Sequence, residues 1–240
     1  MLGEPLWLAL LLATLAGASI PLGAWLGSFQ RLFPDWLDDE LKHSVAAFGG
    51  GALFSAIALV LVPEGAERLA MVPALAWFCA GGLVFFAVDR ALAKRGGSAA
   101  QFMAMMLDYV PEAMALGALL AGDPAAGVLI AVLIALQNLP EGFNAFRELR
   151  ANSKRSTLGL LMLFVLMVPV GPAAAWIGVT HLEHMPAALG AIMLFSAGGI
   201  LYLMFEDVAP QARLSNHAGP PLGAVAGFAL GLAGHLLQVG

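Results

Sequence analysis

Residues 108–117 read DYVPEAMALG, and residues 137–146 read QNLPEGFNAF. In each, a polar residue is followed three places on by a proline, then a glutamate and a small residue: Asp108, Pro111, Glu112, Ala113, and again Gln137, Pro140, Glu141, Gly142. Both copies lie inside apolar segments long enough to cross a bilayer. One charged side chain at the bilayer centre costs about 2.5–3.5 kcal/mol, so Asp108, Glu112 and Glu141 together cost on the order of 8–10 kcal/mol unless protonated, hydrated or bound to a cation. No Lys or Arg stands at midspan to neutralise them.

The chain around this pair has 240 residues, 60% hydrophobic and 11% charged, with mean hydropathy +0.87. Soluble domains carry about 25% charged residues, so this composition belongs in a membrane. The 28 glycines suit close helix packing in lipid. A single cysteine, Cys79, excludes both a disulfide framework and a thiolate metal site. Glu4 is the only charge before the first apolar run, where a cleaved signal peptide would carry a basic region. No basic patch interleaved with aromatics points to a nucleic-acid partner.

With about 20 apolar residues needed per span, the chain divides into eight, at roughly 5–28, 43–63, 73–93, 101–121, 125–146, 157–180, 186–206 and 220–238. Short connections make residues 1–240 one all-α transmembrane domain. With the N-terminus outside, Arg31, Lys42, Arg90, Lys94, Arg95, Arg147, Arg150, Lys154, Arg155 and Arg213 all fall on the cytoplasmic side, and Arg68 alone falls outside. Basic residues collect on the cytoplasmic side, so both termini are expected outside. Trp7, Trp25, Trp36, Trp77 and Trp176 fall mostly near span ends, as an interfacial belt requires. The second span ends LVLVPEGAE and the seventh LMFEDVAPQA, which suggests a repeat of the three-helix groups flanking spans four and five.

Helical spacing puts Asp108 with Glu112, and Gln137 with Glu141, on one face each. Pro111 and Pro140 cannot bond the carbonyls of Leu107 and Leu136, so each is expected to kink its helix and free a carbonyl beside the polar face. Asn138 adds an amide oxygen. Carboxylate, amide and backbone oxygens converging in an apolar span suit a cation.

These residues resemble the ZIP family of divalent metal transporters, most closely its GufA-like bacterial branch. QNLPEG matches the family's fifth-span H/QNxPEG. FSAGGILYLMFEDVAP is similar to its seventh span, FxAGxMLYxxxEExxPE, and AFGGGALFSAIALVLVPEG to its second. The resemblance covers essentially the whole chain. It implies a 3+2+3 helix bundle in a bacterial inner membrane that moves divalent metal into the cytoplasm, with Asp108, Glu112, Gln137, Asn138 and Glu141 as metal ligands. It also implies Glu206 and Asp207 on the exit path, to which His43 is a further candidate.

The departures from the family pattern shape the expectation. Asp108 replaces the fourth-span histidine and Tyr109 its asparagine, while VPVGP puts Val168 at the glutamate of the sixth-span EPxGA. The family's binuclear centre is thereby reduced to one site. Imidazole suits zinc, whereas oxygen ligands suit manganese, with iron(II) between. The metal expected as substrate is therefore Zn or, more broadly, Mn or Fe. The expected partners are the ion and the bilayer, with a homodimer left open.

His181, Glu183 and His184 in the loop THLEHMP have spacing that allows metal capture, though a solvated loop explains them as well. The chain lacks GxxxxGK[ST], so it has no ATP engine of its own, and it is expected not to be an enzyme. Two alternatives remain: an intramembrane metal-dependent hydrolase, disfavoured by the absence of midspan histidine in spans four and five, and a transport-dead relative that binds metal. If Asp108 is a ligand, Asp108→His shifts the ion profile in a liposome flux panel toward zinc. An unchanged profile would remove Asp108 from the ligand set.

Overall fold

The computed structural model describes residues 3–29, 35–94, 100–182, 184–212 and 218–239, which form helices and no strand. Helix α1 spans Gly3–Gly27. Helix α2 runs Asp35–Ala56, widens into a π-helical turn at Ile57–Leu61 and closes with Val62–Glu67. Helices α3, α4 and α5 cover Met71–Lys94, Ala100–Gly122 and Pro124–Asn152. Helix α6 has two parts, Thr157–Val165 and Val170–Ile177, followed by a π turn at Gly178–Leu182. Helix α7 covers Pro186–Leu203, a π turn at Met204–Val208 and a last turn at Ala209–Gln211, and α8 covers Gly219–Val239.

Proline sets much of this punctuation. The break in α6 precedes and includes Pro169, whose ring cannot tolerate a helical carbonyl four residues back. The chain passes it on tighter bonds, Met167 N–H to the Phe164 carbonyl at 3.1 Å and Val168 N–H to the Val165 carbonyl at 3.2 Å. The π turns of α2 and α7 each end two residues before a proline, Pro63 and Pro210, where the wider turn gives the ring room. By contrast, α1, α4 and α5 run without interruption through Pro21, Pro111 and Pro140. Pro124 starts α5 in the position proline tolerates best. Before it, Asp123 caps the helix by accepting from the N–H groups of Ala125 and Ala126, both at 3.1 Å.

Among the described residues seven helices are long and apolar enough to cross a membrane, and α4 contributes a shorter apolar stretch, Tyr109–Gly122. Burial sorts them. In α2, α5 and α7 between 61% and 67% of the apolar window lies inside the protein, against 11% in α3 and 17% in α8. The polar helix α5 is thus central, while α3 and α8 present leucine and valine outward. Trp7, Trp25, Trp77 and Trp176 are all exposed.

Lipid tails are as apolar as leucine, so helices in a membrane gain most from close backbone packing at small residues. The bundle uses one device four times. Gly23 of α1 faces the Leu139 carbonyl of α5, and Gly142 of α5 faces the Ile20 carbonyl of α1. Gly51 and Gly227 join α2 to α8 through the carbonyls of Ala224 and Phe48. Gly81 and Gly198 join α3 to α7 through those of Phe195 and Phe78, and Gly117 and Gly178 join α4 to α6 through those of Ala175 and Met114. In every pair each glycine meets the carbonyl three residues before its partner. The contacts advance together along both helices (Gly23 on Leu139 then Gly27 on Phe143, Gly223 on Ser44 then Gly227 on Phe48, Gly81 on Phe195 then Gly199 on Phe85, Gly171 on Tyr109 then Gly117 on Ala175), so the two helices run parallel. A Cβ at any of the eight would fall well inside the 3.0 Å that real Cβ atoms respect.

These clasps make four pairs. Packing of α4 on α5 and of α1 on α6 joins the first and fourth into one group. The end of α2 packing on α7, with Gly65 against Gly190, joins α2, α3, α7 and α8 into another. Exchanging α1 with α6, α2 with α7, α3 with α8 and α4 with α5 carries the four clasps onto one another. The pairing therefore follows the repeat suggested by the ends of the second and seventh spans. Gly198→Val should push α7 off Phe78 and lower the thermal midpoint in detergent, since overpacking of this kind typically costs about 1–3 kcal/mol. Gly122→Ala, whose new Cβ meets nothing within 4 Å, serves as the control and should leave the midpoint in place. Equal midpoints for the two variants would contradict the clasp.

Candidate functional site

Helices α4 and α5 are joined by Asp123 alone and lie antiparallel, which brings the two proline motifs together in the centre. Glu112, Gln137 and Asn138 are all buried, with at most 1% of their surface exposed. The Gln137 amide Nε2 donates to Glu112 Oε2 at 2.6 Å and ties the motifs to each other. Asp108 lies on α4 four residues before Glu112, but its side chain is outside the described residues.

Hydrogen-bond accounting leaves an excess of acceptors. Glu112 Oε1, Gln137 Oε1 and Asn138 Oδ1 are buried and have no donor. An orphaned buried oxygen costs about 1–3 kcal/mol, so three in one place call for a donor, whether a proton, a water or a cation. Gln137 and Glu141 also line a cavity of about 30 Å³, walled by Ala46, Gly49 and Leu53 of α2, Asn144 of α5 and Val208 of α7. Gly49 makes room for it, because a Cβ there would strike the Pro140 ring. A larger groove of about 860 Å³ between α2, α8 and the end of α7 is lined wholly by apolar residues and offers no chemistry.

The side of the site facing α1 is closed by a phenol. Tyr109 is fully buried, and its hydroxyl donates to the Ala13 carbonyl of α1 at 3.1 Å. The hydroxyl rests between Gly17 of α1 and Gly171 of α6, and a Cβ at either would collide with it. One turn along α1, Asn138 Nδ2 donates to the Ala16 carbonyl at 3.2 Å. The Val168 carbonyl, left without an amide partner by Pro172, lies beside Gly17. The hydroxyl proton of Tyr109 and one N–H of Asn138 thus hold α1, and the Asn138 oxygen, without a donor, is left to face a ligand.

The other sequence candidates lie apart from this cluster. His43 is half-buried on α2 and Glu206 is exposed at the π turn of α7, while the side chain of Asp207 and the whole of Glu183 lie outside the described residues. His181 is exposed, sharing a 2.6 Å hydrogen bond with Thr180 Oγ1 beside the Trp176 ring, and His184 is exposed. Among the described residues no three His, Cys, Asp or Glu side chains converge as a metal group. The described donor set is instead two carboxylates and two amides. Asn144, in the wall of the small cavity, is a polar residue not singled out from the sequence. Its signal was its spacing, seven residues after Gln137 on the same helix face.

The chain matches no family model, and no curated protein sequence matches it significantly. If Tyr109 is the peg between α1, α4 and α6, removing only its hydroxyl in Tyr109→Phe should cost about 1 kcal/mol of stability, one hydrogen bond. Truncation in Tyr109→Ala should cost about 3–5 kcal/mol, as for other buried aromatics. Denaturant midpoints in detergent distinguish the two, and equal losses would show that the ring is not packed as described.

Proposed function

We propose that this protein is a divalent metal transporter of the ZIP type. On this reading its eight helices span the membrane with both termini outside, and metal passes into the cytoplasm through one oxygen-lined site between α4 and α5. The observation that carries the reading is the donor deficit at Glu112, Gln137 and Asn138, three buried oxygens without partners on membrane helices that bear no cation at that depth. A divalent ion supplies what they lack. Glu112 and Glu141 serve as charged ligands, Gln137 and Asn138 as amide ligands, and Asp108 completes the set from the next turn of α4.

Oxygen-only ligation favours manganese and iron(II) over the zinc preference that an imidazole would bring, with zinc still carried. The occupation of the α1 side by Tyr109 favours a single ion over a pair. The ligands sit on the α1, α4, α5 and α6 group, while Gly49 and Val208 of the other group wall the adjoining cavity. A rocking of one clasped group against the other would open the site to each side in turn, with no clasp broken.

A second reading, metal binding without transport, is favoured by the same Tyr109 contacts, which pin three helices of one group together. Flux separates the two. Purified protein in liposomes should carry Mn(II), Fe(II) and Zn(II), and Glu112→Gln or Glu141→Gln should each reduce flux about tenfold or more, the equivalent of losing ~1.4 kcal/mol or more of ion stabilisation. Saturable binding with no flux would favour the second reading. Flux unaffected by both substitutions would refute the site.

A further inference from the structure

Resting on the reading of Glu112, Gln137 and Glu141 as a metal site, we propose that the ion leaves along one face of α5. Asn144 takes it from Gln137 and Glu141, and Glu148 receives it at the cytoplasmic end. Residues 137, 141, 144 and 148 follow the spacing i, i+4, i+7, i+11, which keeps them on one narrow stripe of a helix. At 1.5 Å rise per residue they are spaced about 6, 4.5 and 6 Å apart along the axis, each bearing a side-chain oxygen.

Three of the four line one continuous cavity, and it extends toward the basic end of the bundle. Its α2 wall runs from Leu53 to Ala46 while its α5 wall runs from Gln137 to Asn144. Gln137 is 1% exposed, and its Oε1 has no donor, which marks this cavity as a place for a cation. The volume adds a constraint. At about 30 Å³ the cavity has room for two or three waters, each needing roughly 10–15 Å³, and none for an ion wearing a full hydration shell. An ion that passes must therefore exchange water for protein oxygen at short intervals, which the stripe supplies.

Beyond Asn144 the stripe reaches Glu148, which is half-buried. On α2, His43 lies three residues past Ala46 and so stands at about the same depth as Glu148. Arg147 does not block the way, because its guanidinium is held over the Phe143 ring at 5.4 Å, on another face of α5. Val208, and not its neighbour Glu206, contributes the α7 part of the cavity wall, and Glu206 is exposed.

The test uses full-length protein in liposomes with Mn(II) as the probe, alongside equilibrium Mn(II) binding in detergent. Asn144→Leu and Glu148→Gln should each lower flux about tenfold while changing affinity by less than about threefold, and Asn144→Asp, which keeps an oxygen at that position, should lose less flux than Asn144→Leu. Flux equal to that of the unsubstituted protein in both Asn144→Leu and Glu148→Gln overturns the path and leaves the site intact. Failure of the unsubstituted protein to bind or carry Mn(II) or Zn(II) overturns the site and the path with it.

A second measurement holds even if Asn144→Leu folds poorly. In a Cys79→Ser background, Glu148→Cys should react with a charged, membrane-impermeant thiol reagent from the cytoplasmic side. Asn144→Cys, inside the small cavity, should react with the bare thiophilic ion Cd(II), read as loss of Mn(II) flux, with Mn(II) protecting both. Neither probe should reach Leu133→Cys. Unreactive Asn144→Cys and Glu148→Cys overturn the path.

Discussion

Inside a bilayer a side-chain oxygen finds its donor within the protein or goes without, because the hydrocarbon offers none. The centre of this bundle is built short of donors. Glu112 and Glu141 bring acceptors only, once ionised, and Gln137 and Asn138 bring one amide NH₂ group each. One N–H of Gln137 goes to Glu112, and one of Asn138 to the Ala16 carbonyl of α1. Their own oxygens and Glu112 Oε1 stay buried with no donor, and a cation is one complement that would satisfy all three. The rest of the fold holds those oxygens at that depth.

It does so with backbone instead of bulk. Four parallel helix pairs are brought close by reciprocal glycines, each facing the other helix's carbonyl. Such contacts aim a Cα–H at a carbonyl, a weak attraction of about 0.5–1 kcal/mol each that matters where no hydrophobic force acts between helices. Because α1 is clasped to α5 and α6 to α4, the two helices bearing the site are each gripped from outside by a partner. Tyr109 then fills the gap between those partners. The large phenol is admitted only because Gly17 and Gly171 stand where any side chain would strike it.

The helical frame was legible in the sequence because apolar length is a strong signal. The expected spans and the observed helices agree within a few residues, except where α2 begins at Asp35, α5 continues to Asn152 and α7 to Gln211, stretches too polar to register as membrane. The pairing was not legible. Gly81 and Gly198 are obvious as glycines, but their partnership spans over a hundred residues and is fixed only by packing. Tyr109 read as a missing ligand, and its actual work depends on two glycines from two other helices. Asn144 lay on the same period as Gln137 and Glu141. Near a helix end, though, an asparagine reads as a solvated amide until a cavity wall includes it.

The most direct measurement is the position of the ion itself. Anomalous scattering from crystals of the purified protein grown with Mn(II) should place one ion within ligand distance of Glu112, Gln137 and Glu141. An ion found only in the loop of His181 and His184, with none between α4 and α5, would contradict the account.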